Sequence, residues 1–226
     1  MVKIGNLELG KKACIAAIID EMLSEEELIV SGAAEADLLE MRIDCFSQPI
    51  DKVIEYTRFI KEAFNLPMIG TVRETDANRN NRVDIFGKIM PFVDAIDLEL
   101  GTPINNEVLS IAEGKTVIIS EHDFKRTPSI DELSSIVERS LNQGAHIVKI
   151  AAMANCREDV TRLLRFTEDC NVPLVTISMG ETGAVSRVIA PLFGSLYTYG
   201  YLTRPVAPGQ FSVRTLLKET VLFFPN

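Results

Sequence analysis

The stretch 144–156, GAHIVKIAAMANC, is an apolar run of strand length with a lysine near its centre. Ile147, Val148, Ile150 and Ala151 surround Lys149, and β-branched residues in so short a run favour a strand. A lysine in such a place is paired, snorkels to water at a strand end, or works as a desolvated nucleophile. The flanks carry the fold. Before the run, SIDELSSIVERSLNQG (129–144) opens on the N-cap Ser129 and stops at Gly144. After it, CREDVTRLLRFTEDC (156–170) keeps the same 3.6-residue period. Helix, strand, helix is one turn of a repeating unit.

The same alternation runs along the chain. Strand-like segments recur at 14–19, 37–44, 67–73, 93–100, 115–122, 146–152, 173–179 and 194–200. Among the helical patterns between them, 24–36 carries the capping box Ser24 and Glu27. IDKVIEYTRFIKEAF (50–64) puts Val53, Tyr56, Ile60 and Phe64 on one face, and 209–224 is periodic too. Strands alternating with helices imply right-handed βαβ units and a parallel sheet. Eight units predict a (β/α)8 TIM barrel, compact against the usual size of about 250 residues. A doubly wound sheet is the rival, but CIAAIIDEML (14–23) lacks the glycines of a dinucleotide-binding turn. Residues 1–12 read as a short β-hairpin turning at Gly5-Asn6. No linker or low-complexity segment divides the chain, so residues 1–226 are expected to form one barrel domain.

The chain has 226 residues, 46% hydrophobic and 24% charged, with a formal net charge of −9. That is a globular composition, and with no basic stripe it predicts no nucleic-acid partner. No apolar run approaches the roughly 20 residues that span a bilayer, so no membrane partner is expected. The four cysteines form no CxxC, and the two histidines complete no zinc spacing. Free thiols without a secretory leader point to the cytoplasm.

Barrel strands alternate between lumen and helix layer, and catalytic groups sit at strand C-terminal ends. Glu40 with Arg42, Asp97 with Glu99, and Lys149 with Ala151 each share a face. Arg73 and His122 end their strands, and Arg187 follows the seventh. His146 has the opposite parity and is expected to be structural. The acids at 40, 97 and 99 could pair with Arg42 and Lys149, or hold a metal. Imine chemistry fits this set. Burial disfavours a charged lysine, a neutral amine attacks a ketone, and a nearby histidine moves the proton that the iminium acidifies. Arginines suit a carboxylate or phosphate.

These residues resemble the type I 3-dehydroquinate dehydratases. EMRID (40–44), GTVR (70–73), SEHDFKRTP (120–128), GAHIVKIA (144–151), SMGETGAVSRVIAPLFGS (178–195) and APGQ (207–210) carry the resemblance. It implies a barrel without metal or cofactor, usually a homodimer, acting on the small anionic substrate 3-dehydroquinate. Lys149 would form a Schiff base with the C3 ketone. His122 would take the C2 proton and assist hydroxide loss from C1. Arg187 would bind the carboxylate, and Glu40, Arg42, Arg73 and Gln210 would contact hydroxyls or complete the charge network. Met179 and Tyr199 would pack against the ring. Two positions depart from the pattern. Ala77 stands where the family commonly has a glutamate orienting the histidine, leaving Glu74, Asp76 or no carboxylate for that role. Val206 stands where the family has a serine. A class I aldolase or transaldolase, a metal-dependent barrel and a non-enzymatic metabolite-binding barrel are the competing readings.

Overall fold

A computed structural model describes residues 2–224. Lys3–Ile4 (β1) and Leu7–Glu8 (β2) form the antiparallel hairpin. Eight parallel strands follow: Cys14–Ile19 (β3), Leu38–Arg42 (β4), Met68–Thr71 (β5), Ala95–Glu99 (β6), Thr116–Asp123 (β7), Ile147–Met153 (β8), Leu174–Met179 (β9) and Tyr197–Tyr201 (β10). They run side by side in the order β10-β3-β4-β5-β6-β7-β8-β9. The ring closes where Leu196 N donates to Leu174 O at 2.9 Å. This is the (β/α)8 barrel with an N-terminal hairpin.

Strand parity divides the core in two. Ala16, Ile18, Leu38, Ile69, Ala95, Ile118, Ile147, Val175 and Tyr197 pack together inside the barrel with Ile4 and Leu9 of the hairpin segment, so the hairpin plugs the end where the strands begin. The opposite faces, among them Leu39, Met41, Ile96 and Ile119, pack against helices. With its floor filled by apolar side chains, polar lumen residues are confined to the strands' C-terminal end.

The helices are Glu25–Ser31 (α1), Ile50–Phe64 (α2), Arg82–Ile89 (α3), Asn105–Ile111 (α4), Ile130–Asn142 (α5), Arg157–Asp169 (α6), Ser186–Ile189 (α7) and Val213–Phe223 (α8). Both serine caps behave as their sequences imply, Ser24 accepting from Glu27 N and Ser129 from Glu132 N. Helices α3 and α4 lie outside the sequence expectations: they are short and neither opens on a side-chain cap. Arg187 lies in α7, the helix expected after the seventh barrel strand. His146 is exposed just before β8, and its Nδ1 accepts from Val117 N at 2.9 Å, a structural bond between neighbouring strands.

Candidate active site

At the C-terminal end of the barrel a cavity of about 370 Å³ opens among the strand ends and the loops after β7, β9 and β10. Glu40, Arg42, Arg73, His122, Lys149, Met179, Arg187, Tyr199 and Gln210 all line it. Thus every site residue expected from sequence lies around one space. Ile18, Glu99, Phe124, Ala151, Ile177, Val206 and Ala207 complete the wall.

Lys149 is 5% exposed. Its Nζ donates to Asp97 Oδ2 at 2.9 Å and to the Tyr199 hydroxyl at 3.0 Å. Glu40 Oε2 lies 3.5 Å away and makes no hydrogen bond of its own. Two carboxylates and a phenol surround the amine, and among the described residues no guanidinium touches it. Arg73 reaches Lys149 only through Asp97, since Arg73 Nη2 binds the other oxygen, Oδ1, at 2.7 Å. Ser120 Oγ donates to the same Oδ1 at 2.6 Å. Burial opposes the charge on Asp97, yet Arg73, Lys149 and Ser120 outweigh it and hold the carboxyl well below its usual range.

The other acids are also occupied. Glu40 Oε1 accepts from Thr71 Oγ1 at 2.9 Å. Glu99 accepts from Arg82 Nη2 at 2.6 Å. Arg82 is 2% exposed and also donates twice to Val72 O, at 3.0 and 2.7 Å. Arg42 pairs with Asp44 through two bonds of 3.2 and 2.7 Å, not with Glu40 or the strand acids. The partner two residues along the chain wins because it meets the guanidinium fork with both oxygens. Among the described residues no group of three His, Cys, Asp or Glu side chains could hold a metal ion.

His122 stands one lumen step above the Lys149 level: β7 pairs with β8 so that Ser120 lies opposite Lys149 and His122 opposite Ala151. Its ring stacks on Phe124, 6.1 Å between centroids. Burial first, then the charges of Arg73 and Lys149, push its pKa down to about 3. Neither Glu74 nor Asp76 orients it. Glu74 receives Arg79 at 3.0 Å and Asp76 receives Arg79 at 2.9 Å. Of the three options that Ala77 leaves open, the third holds: no described carboxylate hydrogen-bonds the imidazole.

Arg187, 2% exposed on α7, is the exception to this pairing. It has no carboxylate partner among the described residues; Nη2 donates to Pro208 O at 3.2 Å and Nε to nothing. Burial alone lowers its pKa to about 10. A buried, uncompensated guanidinium on a cavity wall can take an anion through charge-assisted bonds. Two glycines let the loops close in here. A Cβ on Gly183 would strike Ser178 O, and one on Gly209 would strike Gly180 O. Gln210 Oε1 accepts from Val206 N at 2.9 Å, which leaves its amide N–H groups for a ligand.

Sequence reasoning left out Asp97 as the shared hub, Ser120 beneath it and Arg82 behind Glu99. Parity pointed to the first, since Asp97 sits on the lumen face of its strand; Arg82 follows the polar run NRNN (78–81) and reads as solvated.

The arrangement has relatives. A family model described as type I 3-dehydroquinase matches residues 13–223. The 3-dehydroquinate dehydratase of Methanocella arvoryzae is 38% identical over 209 residues, covering 89% of this chain and 94% of the relative. That of Methanococcoides burtonii is 38% identical over 232 residues, covering 96% and 97%. Among solved structures, the 3-dehydroquinate dehydratase of Geobacillus kaustophilus superposes with a TM-score of 0.84 at 27% identity, covering 98% of this chain and 95% of that one. A type I enzyme from Clostridium difficile, solved with covalent modified comenic acid, gives 0.85 at 29% identity, covering 98% and 97%. With the family model spanning nearly the whole barrel and relatives alike along most of their length, the chain belongs to the type I 3-dehydroquinase family, a family of hydro-lyases.

Proposed function

We propose that this enzyme removes water from 3-dehydroquinate to give 3-dehydroshikimate through a Schiff base on Lys149. The observation that carries the reading is the conjunction, in one cavity, of a buried lysine, an imidazole held neutral and an unpaired guanidinium. Arg187 takes the substrate carboxylate through two charge-assisted bonds. That places the ring between Arg187 and Nζ, with Met179 and Tyr199 against it. Once Nζ has lost a proton to solvent water, its lone pair attacks the C3 carbonyl, and loss of water yields the iminium. The iminium acidifies the C2 proton. His122, neutral at working pH, accepts that proton and returns one to the hydroxyl leaving C1. Glu40 Oε2, Arg73 Nη1 and the Gln210 amide are unspent groups available to substrate hydroxyls. Arg42 and Arg73, tied to Asp44 and Asp97, complete the charge network and fix the cavity's positive field.

Covalent capture is in keeping with the relative solved with covalent modified comenic acid. A homodimer goes with the same reading, and the exposed Val185, Leu192, Val221, Leu222 and Phe223 on and beside α7 and α8 offer it an apolar face. A cytoplasmic location fits the free thiols of the four cysteines, and no described helix is long and apolar enough to cross a membrane. The test of the activity is growth of the conjugated enone's ultraviolet absorbance when 3-dehydroquinate is added after exhaustive EDTA treatment. No growth, or turnover that needs added metal, overturns it.

A further inference from the structure

Tyr199 is placed to do more than pack against a ring. Its hydroxyl is 3.0 Å from Lys149 Nζ, and Nζ lies 4.2 Å from the centre of its ring. The tyrosine is 3% exposed and lines the cavity. Because the phenol oxygen accepts at Nζ, its own proton points elsewhere. The ring of Tyr197 packs edge-on at 5.4 Å and fixes the orientation. A carbonyl carbon bonded to Nζ carries its oxygen one bond further on, within reach of a hydroxyl that already touches Nζ.

We propose that Tyr199 is a catalytic residue, its hydroxyl on Lys149 Nζ relaying a proton from the nitrogen to the substrate carbonyl oxygen as the adduct forms. The proposal rests on the Schiff-base reading above and concerns its first step. The Nζ lone pair forms the N–C bond while the π pair of the carbonyl moves to oxygen. The adduct then has a positive nitrogen with one proton too many and a negative oxygen with none. The phenol oxygen takes the proton from nitrogen as its own passes to the alkoxide, leaving a neutral carbinolamine and a neutral phenol. Direct transfer would run through a four-membered ring, with an angle at hydrogen far below the 150° or more that proton-sharing atoms prefer. The phenol widens the ring to six members. Burial, then Glu40, hold the phenol well above its ordinary pKa, which suits a relay that is neutral before and after. Asp97, the other oxygen on Nζ, is held ionised by its partners and has no proton to pass on.

The test uses the full chain, 3-dehydroquinate and Tyr199→Phe, which deletes one oxygen and keeps the ring. Imine formation is followed by rapid quenching with borohydride and mass spectrometry. In the variant it slows by roughly 10²-fold or more, within the general acid–base range of 10²–10⁴. Imine formation then limits turnover, so the rate difference between ordinary and C2-deuterated substrate, expected in the wild type, disappears. An unchanged quench rate, or a slowed enzyme that keeps the isotope effect, overturns the proposal. A measurement on the wild type alone guards against a variant that fails to fold. The rate of imine formation in mixed light and heavy water curves as two moving protons require, and a linear dependence overturns the relay. If the wild type gives no adduct at all, the Schiff-base reading itself has failed, which is a different result.

Discussion

Replacing Arg187 by methionine should make the free enzyme more stable and far less active. The guanidinium is buried, carries one hydrogen bond to Pro208 O and faces no carboxylate. Burial alone lowers its pKa from the ordinary arginine range to about 10. At about 1.36 kcal/mol per tenfold, that is a desolvation cost of about 3 kcal/mol. Losing the Pro208 bond returns about 1 kcal/mol, so the net gain is about 2 kcal/mol, and methionine fills the stem's place with a flexible apolar chain. For a chain of this size the melting temperature rises by roughly 4–8 °C. The folded-state pKa is the depressed one, so the charge is a burden at every pH below about 10, and the gain stays flat from about pH 6 to 9. Substrate binding moves the other way. Two charge-assisted bonds to a carboxylate contribute about 1.5–3 kcal/mol each, and kcat/KM should fall roughly 10²–10⁴-fold. Urea unfolding with an unchanged slope, alongside steady-state kinetics, reads both effects. A variant less stable than the wild type with kcat/KM intact would refute the assignment of Arg187 as a strained anion site.

Other perturbations have equally definite outcomes. Arg82→Ala leaves Glu99 and Val72 O without their buried partner, and should cost about 3–5 kcal/mol in urea unfolding; a loss under 1 kcal/mol would mean the pair is solvated. Gly183→Ala drives a Cβ into the backbone of Ser178 and to 2.6 Å from Met179 O. It should destabilise by about 1–3 kcal/mol and lower activity by displacing Met179 and Arg187, whereas wild-type melting would show that the loop gives way freely. The His122 ring resonances, assigned with His122→Asn, should not titrate between about pH 8 and 5, because its pKa is lowered to about 3. A midpoint near 6.5 would contradict the burial and the neighbouring charges.

The barrel was legible because its signals are local. Eight apolar runs alternate with capped or periodic helices, and the pattern at 50–64 coincides with α2 residue for residue. Strand parity placed Glu40, Lys149 and His122 toward one space for the same reason. What parity cannot supply is partner choice. Arg42 turns to Asp44, two residues along the chain, rather than to Glu40, because both oxygens there meet its fork, while bond geometry across strands lets Asp97 serve Lys149 and Arg73 together. Helices α3 and α4 lack side-chain caps and are held by tertiary packing, so nothing in their sequence announces a start. Arg82 looks solvated after its run of asparagines, yet the lumen acid Glu99 draws it inside. The alanine at position 77 removed one possible partner of His122, but only coordinates could show that Arg79 claims both nearby acids.

Borohydride reduction in the presence of 3-dehydroquinate, followed by peptide mapping, goes straight to the covalent chemistry. The added mass should fall on the peptide holding Lys149, should not form with a sugar phosphate, and should vanish in Lys149→Ala. Modification elsewhere, at Lys125 for example, or undiminished turnover by Lys149→Ala, would contradict a nucleophilic role for the amine in this cavity.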